Sequence, residues 1–332
     1  MRVALLSNWH VHAKDYAAQV QSNPRLELAG VWDEDPQRGQ RVAKELTASW
    51  FPALEQVWED ETIAGVIVTT ATARHPEIIT QAAAHGKHVF SEKVLAFTED
   101  DCQVILDAVD KAGVRLMLSL PRLSDPYYLY TQQAVNEGWL GQVNTVRCRV
   151  AHNGAVATAE NPRGWLPEQF FDPVACGGGA LVDLGAHPIY LANRLAGQPV
   201  AVTARLNSLL GRGVDDTSVA VVEYENGVMG VLETGFTSGK SPFILEVHGS
   251  RGSVLVEDGK VRIRSEELYG GQWETPDLPQ QQPLPMEQWV AWIEEGRAPL
   301  VNRQDMLNLT RVNEAAVRSH AEACRWRIRG FT

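Results

Sequence analysis

Ala64-Gly65-Val66-Ile67-Val68-Thr69, then a helical period from His75 to Ala84, then Lys87-His88-Val89-Phe90-Ser91, is the stretch that decides the fold. Two β-branched apolar runs separated by one helix make a β-α-β unit with parallel strands and a right-handed crossover. The same alternation extends in both directions. Upstream, Val3-Ala4-Leu5-Leu6 is a continuous apolar run, as for a strand buried on both faces. A helical stretch from about His12 to Ser22, a strand from Leu26 to Trp32 and a helix from Pro36 to Leu46 follow it. Downstream, a helix from Thr98 to Lys111 leads into Val114-Arg115-Leu116-Met117-Leu118. Five strands alternating with helices predict an α/β N-terminal domain of Rossmann type, with a doubly wound parallel sheet.

The second half reads differently. From about Val143 the strands are longer and are joined by turns. Ser218 to Tyr224 and Val228 to Gly235 flank an Asn226-Gly227 turn, and Val254 to Val261 repeats the device with Asp258-Gly259. This pattern predicts an α+β C-terminal domain with a large, mostly antiparallel sheet that leaves one face open to water or a partner. Helical stretches from Met286 to Glu295 and from Asp305 to Cys324 close the chain, and Leu120-Pro121-Arg122 marks the boundary between domains 1–121 and 122–332. A chain of 332 residues also suits two domains at about 150 residues each.

Composition narrows the partners. Lys and Arg total 30 against 41 Asp and Glu, a net charge of −11 that argues against nucleic acid or anionic membrane as a partner. Cys102, Cys148, Cys176 and Cys324 form no C-x-x-C pair and read as buried thiols of a reducing compartment. No apolar run approaches the roughly 18 residues of a membrane span, and a cytoplasmic location is expected.

Ligands of an open parallel sheet bind beyond the carboxyl ends of its strands. Ser7-Asn8-Trp9-His10-Val11-His12 occupies the first such turn and contains no glycine, so the usual G-x-G-x-x-G cradle for a dinucleotide diphosphate is missing. A helix amino terminus still offers N–H groups and a favourable dipole there. His10 and His12 are two apart with no further ligand nearby in sequence, so no metal site is expected. Asp33, at the end of the second strand, is placed to accept hydrogen bonds from a ribose diol and to repel the 2′-phosphate of NADP. The plainer alternative makes Asp33 to Pro36 a helix start, and Arg38 and Arg41 temper the preference for NAD. Lys93, just past a buried strand, is placed to hydrogen-bond a substrate oxygen and favour its alkoxide form; the alternative is a surface Glu92-Lys93 pair.

In the second half, Gly177-Gly178-Gly179-Ala180-Leu181-Val182-Asp183-Leu184-Gly185-Ala186-His187 is read as the start of a helix, with Leu181, Leu184, Leu191 and Leu195 on its buried stripe. Asp183 and His187, four apart, then share a face as an acid/base pair or as a structural hydrogen bond, and Pro188 is expected to kink the helix just beyond.

Taken together, these motifs resemble the glucose-fructose oxidoreductase/inositol dehydrogenase family, Gfo/Idh/MocA, over essentially the whole chain. Thr72 to Pro76, Arg122 with Asp125-Pro126-Tyr127, and Gly138-Trp139-Leu140-Gly141 belong to the same resemblance. It implies an NAD(P)-dependent dehydrogenase, with NAD favoured over NADP, acting on a CH–OH carbon of a sugar, cyclitol or related polyol. It also implies a homodimer or homotetramer formed through the C-terminal sheet. Lys93 matches the lysine of the family's Glu-Lys-Pro motif, and Asp183 and His187 match its D-x-x-x-H pair, with His187 as the proton-transfer group. Ser7, Asn8, Trp9, His12, Asp33, Thr70, His75, Glu92 and Lys93 are the cofactor candidates. The substrate candidates are Lys93, Arg122, His152, Arg163, Trp165, Asp183, His187 and Tyr190, in a pocket between the nucleotide sheet edge and the second sheet. Val94 replaces the motif's proline, and Tyr190 stands where many relatives carry a second aspartate. A cofactor-bound sensor without turnover, or glycoside cleavage through a transient ketone, are the alternative functions.

Overall fold

The computed structural model describes residues 1–330. The chain forms two compact units, Met1–Ser119 with Pro283–Met306, and Leu120–Gln282 with the residues from Leu307 onward. Pro283–Met306 lies beyond the 121/122 boundary read from the sequence and packs with the first unit. Trp289 is the reason: it is fully buried, its ring lies 5.9 Å from that of Phe90, and its Nε1 donates to the Arg115 carbonyl at 3.4 Å. A Cβ on Gly65 would come within 2.8 Å of the same indole, so this strand needs glycine at that point.

The first unit runs β1 (Arg2–Leu6), α1 (Ala13–Ser22), β2 (Glu27–Trp32), α2 (Pro36–Glu45), β3 (Ser49–Phe51), α3 (Leu54–Glu59), β4 (Gly65–Val68), α4 (His75–Ala84), β5 (His88–Ser91), α5 (Glu99–Ala112) and β6 (Leu116–Leu118). The strands lie in the order β3-β2-β1-β4-β5-β6, and all pairs are parallel. Val3–Leu6, Val66–Val68, Val89 and Phe90 are wholly buried, as their unbroken apolar runs require. There are six strands rather than five. β3 escapes a periodicity reading because it is three residues long, at the sheet edge, and only partly buried. Helix ends follow local chemistry. The Asp35 carboxylate accepts from the Gln37 and Arg38 amides ahead of Pro36, and α5 runs from a Thr98 cap to Gly113 at φ +69°. Strand order reverses between β1 and β4, which opens a crevice at their carboxyl ends.

The second unit contains α6 (Pro126–Asn136), β7 (Val143–Ala151), α7 (Pro173–Cys176), α8 (Ala186–Ala196), β8 (Pro199–Asn207), β9 (Thr217–Tyr224), β10 (Met229–Gly235), β11 (Ile244–Gly249), β12 (Gly252–Glu257), β13 (Lys260–Ser265) and β14 (Trp273–Glu274). After α9 (Pro285–Glu295) of the first unit come α10 (Arg303–Ala321) and β15 (Trp326–Arg327). Nine strands form one sheet in the order β14-β13-β12-β11-β7-β10-β9-β8-β15; only β7 and β10 pair in parallel. Val146, Cys148, Val150, Leu232, Ala220 and Val222 face the core, and α8 packs over β7 and β10. Cys102 and Cys176 are buried as well, but Cys324, expected to be buried too, is exposed in the turn after α10. Arg147, Arg149, Glu233 and Glu246 alternate onto the opposite face, where ion pairs of 2.8 to 3.7 Å join them. Asp258 and Gly259, at φ +47° and +79°, give the β12–β13 hairpin the left-handed pair that a type I′ turn needs. Among the described residues, no helix is long and apolar enough to cross a membrane.

Gly177 to His187 does not form the expected helix. α8 begins only at Ala186, and the preceding residues form a series of turns. Pro188 therefore sits in the first turn of α8, where its missing N–H breaks no bond, and it does not kink the helix.

Candidate active site

The turn after β1 is held from within. Ser7, at φ +78°, donates its amide to the Trp32 carbonyl at 2.6 Å, and its Oγ accepts from Trp9 N at 3.0 Å. Asn8 N donates to Asp33 Oδ2 at 2.8 Å, His10 N to the Thr69 carbonyl at 3.1 Å, and His12 N to His10 Nδ1 at 3.2 Å. These amides take up the role that a glycine loop leaves free for a diphosphate.

Asp33 is the hub of the neighbouring strand end. Its carboxylate is 0% exposed and accepts from Asn8 N, Asp35 N and both Nε and Nη2 of Arg38, the last at 2.7 Å. Arg38 also reaches Glu34 at 2.8 Å. Gly39 allows this closeness, because a Cβ there would stand 2.9 Å from that of Asp33. The acid is thus both strand-end anchor and helix partner, with Arg38 of α2 bonded to both of its oxygens.

At the end of β5 a buried carboxylate gathers titratable groups. Glu92 is 1% exposed; its Oε2 accepts from the Tyr16 hydroxyl and lies 3.3 Å from His12 Nδ1. The rings of His10 and His12 are 4.8 Å apart. Lys93, 6% exposed, places Nζ 3.9 Å from Glu92 Oε1. Burial alone would raise the Glu92 pKa, but the charges of His10, His12 and Lys93 and the His12 hydrogen bond hold it well below the usual carboxylate range. Burial, followed by the Glu92 charge, pushes the Tyr16 phenol well above its ordinary value. The Lys93–Val94 peptide is cis although Val94 is not proline. His75 is completely buried, with Nδ1 3.0 Å from the Val94 carbonyl and Nε2 3.3 Å from that of Thr70. It braces the strand-end loops from below.

In the second unit the corresponding set centres on α8. His187 Nδ1 lies 3.0 Å from the Tyr190 hydroxyl, which also accepts the Arg122 amide at 3.3 Å. The Arg122 guanidinium donates to the Tyr127 hydroxyl at 3.2 Å and stacks 4.9 Å above Phe243. Tyr190 is 1% exposed and its phenol is pushed well above its ordinary pKa by burial, so it is a neutral hydroxyl that fixes its neighbours. Asp183 lies half-buried in the turns before α8, its amide donating to the Gly179 carbonyl at 3.1 Å.

A family model described as an oxidoreductase family with an NAD-binding Rossmann fold matches residues 10–120, and the model of the GFO/IDH/MocA C-terminal domain matches residues 128–255. The chain belongs to the Gfo/Idh/MocA family. Among its relatives, the scyllo-inositol 2-dehydrogenase (NAD(+)) of Bacillus subtilis is 25% identical over 326 residues, covering 93% of this chain and 90% of that protein. The inositol 2-dehydrogenase of Rhizobium meliloti is 26% identical over 331 residues, covering 93% and 94%. A levoglucosan dehydrogenase solved with NADH and levoglucosan superposes with a TM-score of 0.85 at 19% identity, covering 99% of each chain.

Within this Gfo/Idh/MocA chain the candidates separate by environment. Ser7, Asn8, Trp9, His12, Asp33, Thr70, His75, Glu92 and Lys93 all belong to the carboxyl edge of one sheet, but Ser7, Asp33 and His75 are spent on internal bonds. Arg163 is 76% exposed and pairs with Glu168 at 3.1 Å, a surface arrangement. Trp165 is 52% exposed and its ring lies 4.7 Å from that of His152, which in turn stacks on Phe236 at 5.2 Å.

Asp215 is a further residue of this region, one that no sequence motif marks. Its buried carboxylate accepts from Gly179 N at 2.9 Å, Leu181 N at 2.8 Å and Ser218 Oγ at 2.6 Å, and its carbonyl accepts from Ala180 N. A Cβ on Gly179 would stand 2.0 Å from that carbonyl oxygen. This clasp holds the glycine run in turns and sets where α8, and therefore His187, begins. The Asp215-Asp216 pair before a strand was the available signal, yet nothing in sequence ties it to residues 34 to 36 positions earlier. His10 was likewise set aside, because its third companion, Glu92, is 82 residues away.

Proposed function

We propose that the chain is an NAD-dependent dehydrogenase of a CH–OH carbon in a sugar, cyclitol or related polyol. The observation that carries this reading is Lys93, an ammonium 6% exposed at the carboxyl end of β5 in the family's Glu-Lys position. The residues at that edge suit a dinucleotide: strand order reverses there, and buried Thr70 Oγ1 has no hydrogen-bond partner. Such a buried polar atom calls for a partner. The diphosphate would be met by side chains and the start of α1, since the loop amides are engaged. Asp33 supports NAD over NADP by its charge, and Arg38 tempers that charge.

Bound cofactor would supply the hydride acceptor. For its part, the chain has to remove a proton and stabilise a developing alkoxide. Lys93 donates a hydrogen bond to the substrate oxygen. His187 takes the hydroxyl proton, Tyr190 fixes its ring through the 3.0 Å contact at Nδ1, and Asp183 orients the imidazole or the substrate. In the reverse direction the same groups return the proton. Arg122 and the exposed Trp165 supply a fork and an aromatic face suited to polyol binding. The charged open face of the second sheet is the surface proposed for homodimer or homotetramer formation.

The test is a panel of polyols, cyclitols and sugar acids followed by NADH absorbance, with Lys93→Ala beside the native protein. Turnover on a panel member that collapses in the variant supports the reading. NADH binding without turnover on any member would leave a sensor instead.

A further inference from the structure

His10, His12 and Glu92 meet in the folded chain although 80 residues separate the histidine pair from the carboxylate. We propose that these three side chains form a site for one divalent transition-metal ion of the zinc, cobalt or iron(II) kind. Two imidazoles and one carboxylate are a donor set that such ions accept with further coordination positions open.

The geometry is close to what an ion needs. One donor atom from each residue can be chosen so that all three lie within 4.8 Å of one another. Metal–nitrogen and metal–oxygen bonds of about 2.0 to 2.2 Å put donors on one ion at most roughly 4.2 Å apart. The shortfall is under an ångström, within reach of small rotations of His12, which is half-exposed. A second observation stands apart from the cluster itself. Glu92 Oε1 is buried and has no hydrogen-bond partner, and the Lys93 ammonium lies beyond hydrogen-bond reach at 3.9 Å. A buried carboxylate oxygen without a bonded partner calls for one.

The surroundings have the form of an outer shell. The Tyr16 hydroxyl bonds to the other Glu92 oxygen and holds the carboxylate in place. The His12 amide contacts His10 Nδ1 at 3.2 Å and His12 Nδ1 lies 3.3 Å from Glu92 Oε2, both long contacts that coordination through those atoms would replace. His10 is buried while His12 opens towards solvent, so an entry path exists on the His12 side. The inference stands whether or not the chain is a dehydrogenase, because it concerns ion binding by these residues alone.

The experiment uses the full-length, tag-free protein, freed of metal by chelator and dialysis and then titrated with Co²⁺ and Zn²⁺. Calorimetry reads affinity and stoichiometry, and the visible spectrum of Co²⁺ reads nitrogen ligation and coordination number. One ion per chain at micromolar or tighter affinity is expected, with visible Co²⁺ bands that Zn²⁺ displaces. His12→Ala and Glu92→Gln should each weaken binding at least tenfold. His85→Ala, an exposed histidine on α4's carboxyl end, should leave it unchanged. His12→Ala also protects the test against misfolding, since that side chain is half-exposed. Binding weaker than millimolar, or binding that His12→Ala and Glu92→Gln leave untouched, would overturn the proposal.

Discussion

Two buried carboxylates, Glu92 at the edge of the first sheet and Asp215 beneath the glycine run of the second unit, do opposite work. Asp215 is surrounded by donors that cannot titrate, two backbone amides and a serine hydroxyl, and both its oxygens are satisfied. Glu92 is surrounded by His10, His12, Tyr16 and Lys93, and one of its oxygens has no hydrogen-bond partner. A carboxylate closed off by amides sets shape; one left partly open among titratable side chains marks chemistry. Asp33 lies between them, closed by two amides yet also paired with Arg38.

The contrast predicts that substitutions at the Glu92 end change function while those at the Asp215 end change stability. Lys93→Ala should lower kcat about 100-fold or more, equivalent to roughly 2.7 kcal/mol of transition-state stabilisation. Steady-state rates on a panel substrate, beside a thermal melt close to that of the native protein, would check both halves. Next in size, Asp215→Asn puts an amide group against two backbone N–H donors and should cost about 2 kcal/mol of folding stability. The isosteric Glu92→Gln keeps an acceptor for the Tyr16 hydroxyl but takes the counter-charge from buried Lys93, so it should cost stability near pH 7 and lose that cost as pH falls through the carboxylate range. Urea denaturation of the two variants side by side breaks the comparison if their losses are equal.

A smaller effect concerns pH. His75 is buried between carbonyls, and burial lowers its pKa in the folded chain. A histidine depressed in this way contributes nothing adverse above its unfolded value near 6.5, and stability falls as pH drops below it. The slope from this one group is at most about 1.4 kcal/mol per pH unit. Denaturation between about pH 7 and 5 should be less steep for His75→Gln than for the native chain. Smallest of all, Asp33→Ala should narrow the NADH-over-NADPH affinity gap by about tenfold or less, at most about 1.4 kcal/mol. An unchanged ratio would remove Asp33 from that role and leave it an anchor.

Residues 1–119 were legible because their buried strands are apolar runs and helices such as α2 and α5 carry caps at Asp35 and Thr98. Two short elements leave no such trace: β3, three residues at an edge, and α3, six residues that follow Ala53 without a side-chain cap. Residues 177–187 were misread for the opposite reason. The leucine spacing from Leu181 to Leu195 satisfies a helical period, but Asp215 captures the Gly179 and Leu181 amides that the helix would use. A bond spanning 34 residues overrides a local pattern, and no local pattern records it. The same limit hid the Glu92 cluster. Lys93 and His187 were found as single residues, whereas the company of His10, His12 and Glu92 exists only once β1 and β5 come together through β4.

The most direct measurement is calorimetric titration of the purified protein with NADH and with NADPH. NADH should bind in the micromolar range and NADPH more weakly, although the Ser7, Asn8, Trp9, His10 and His12 amides after β1 are already engaged. Absence of binding for both dinucleotides would contradict the dehydrogenase reading, since Lys93 and His187 would then have no hydride acceptor to serve.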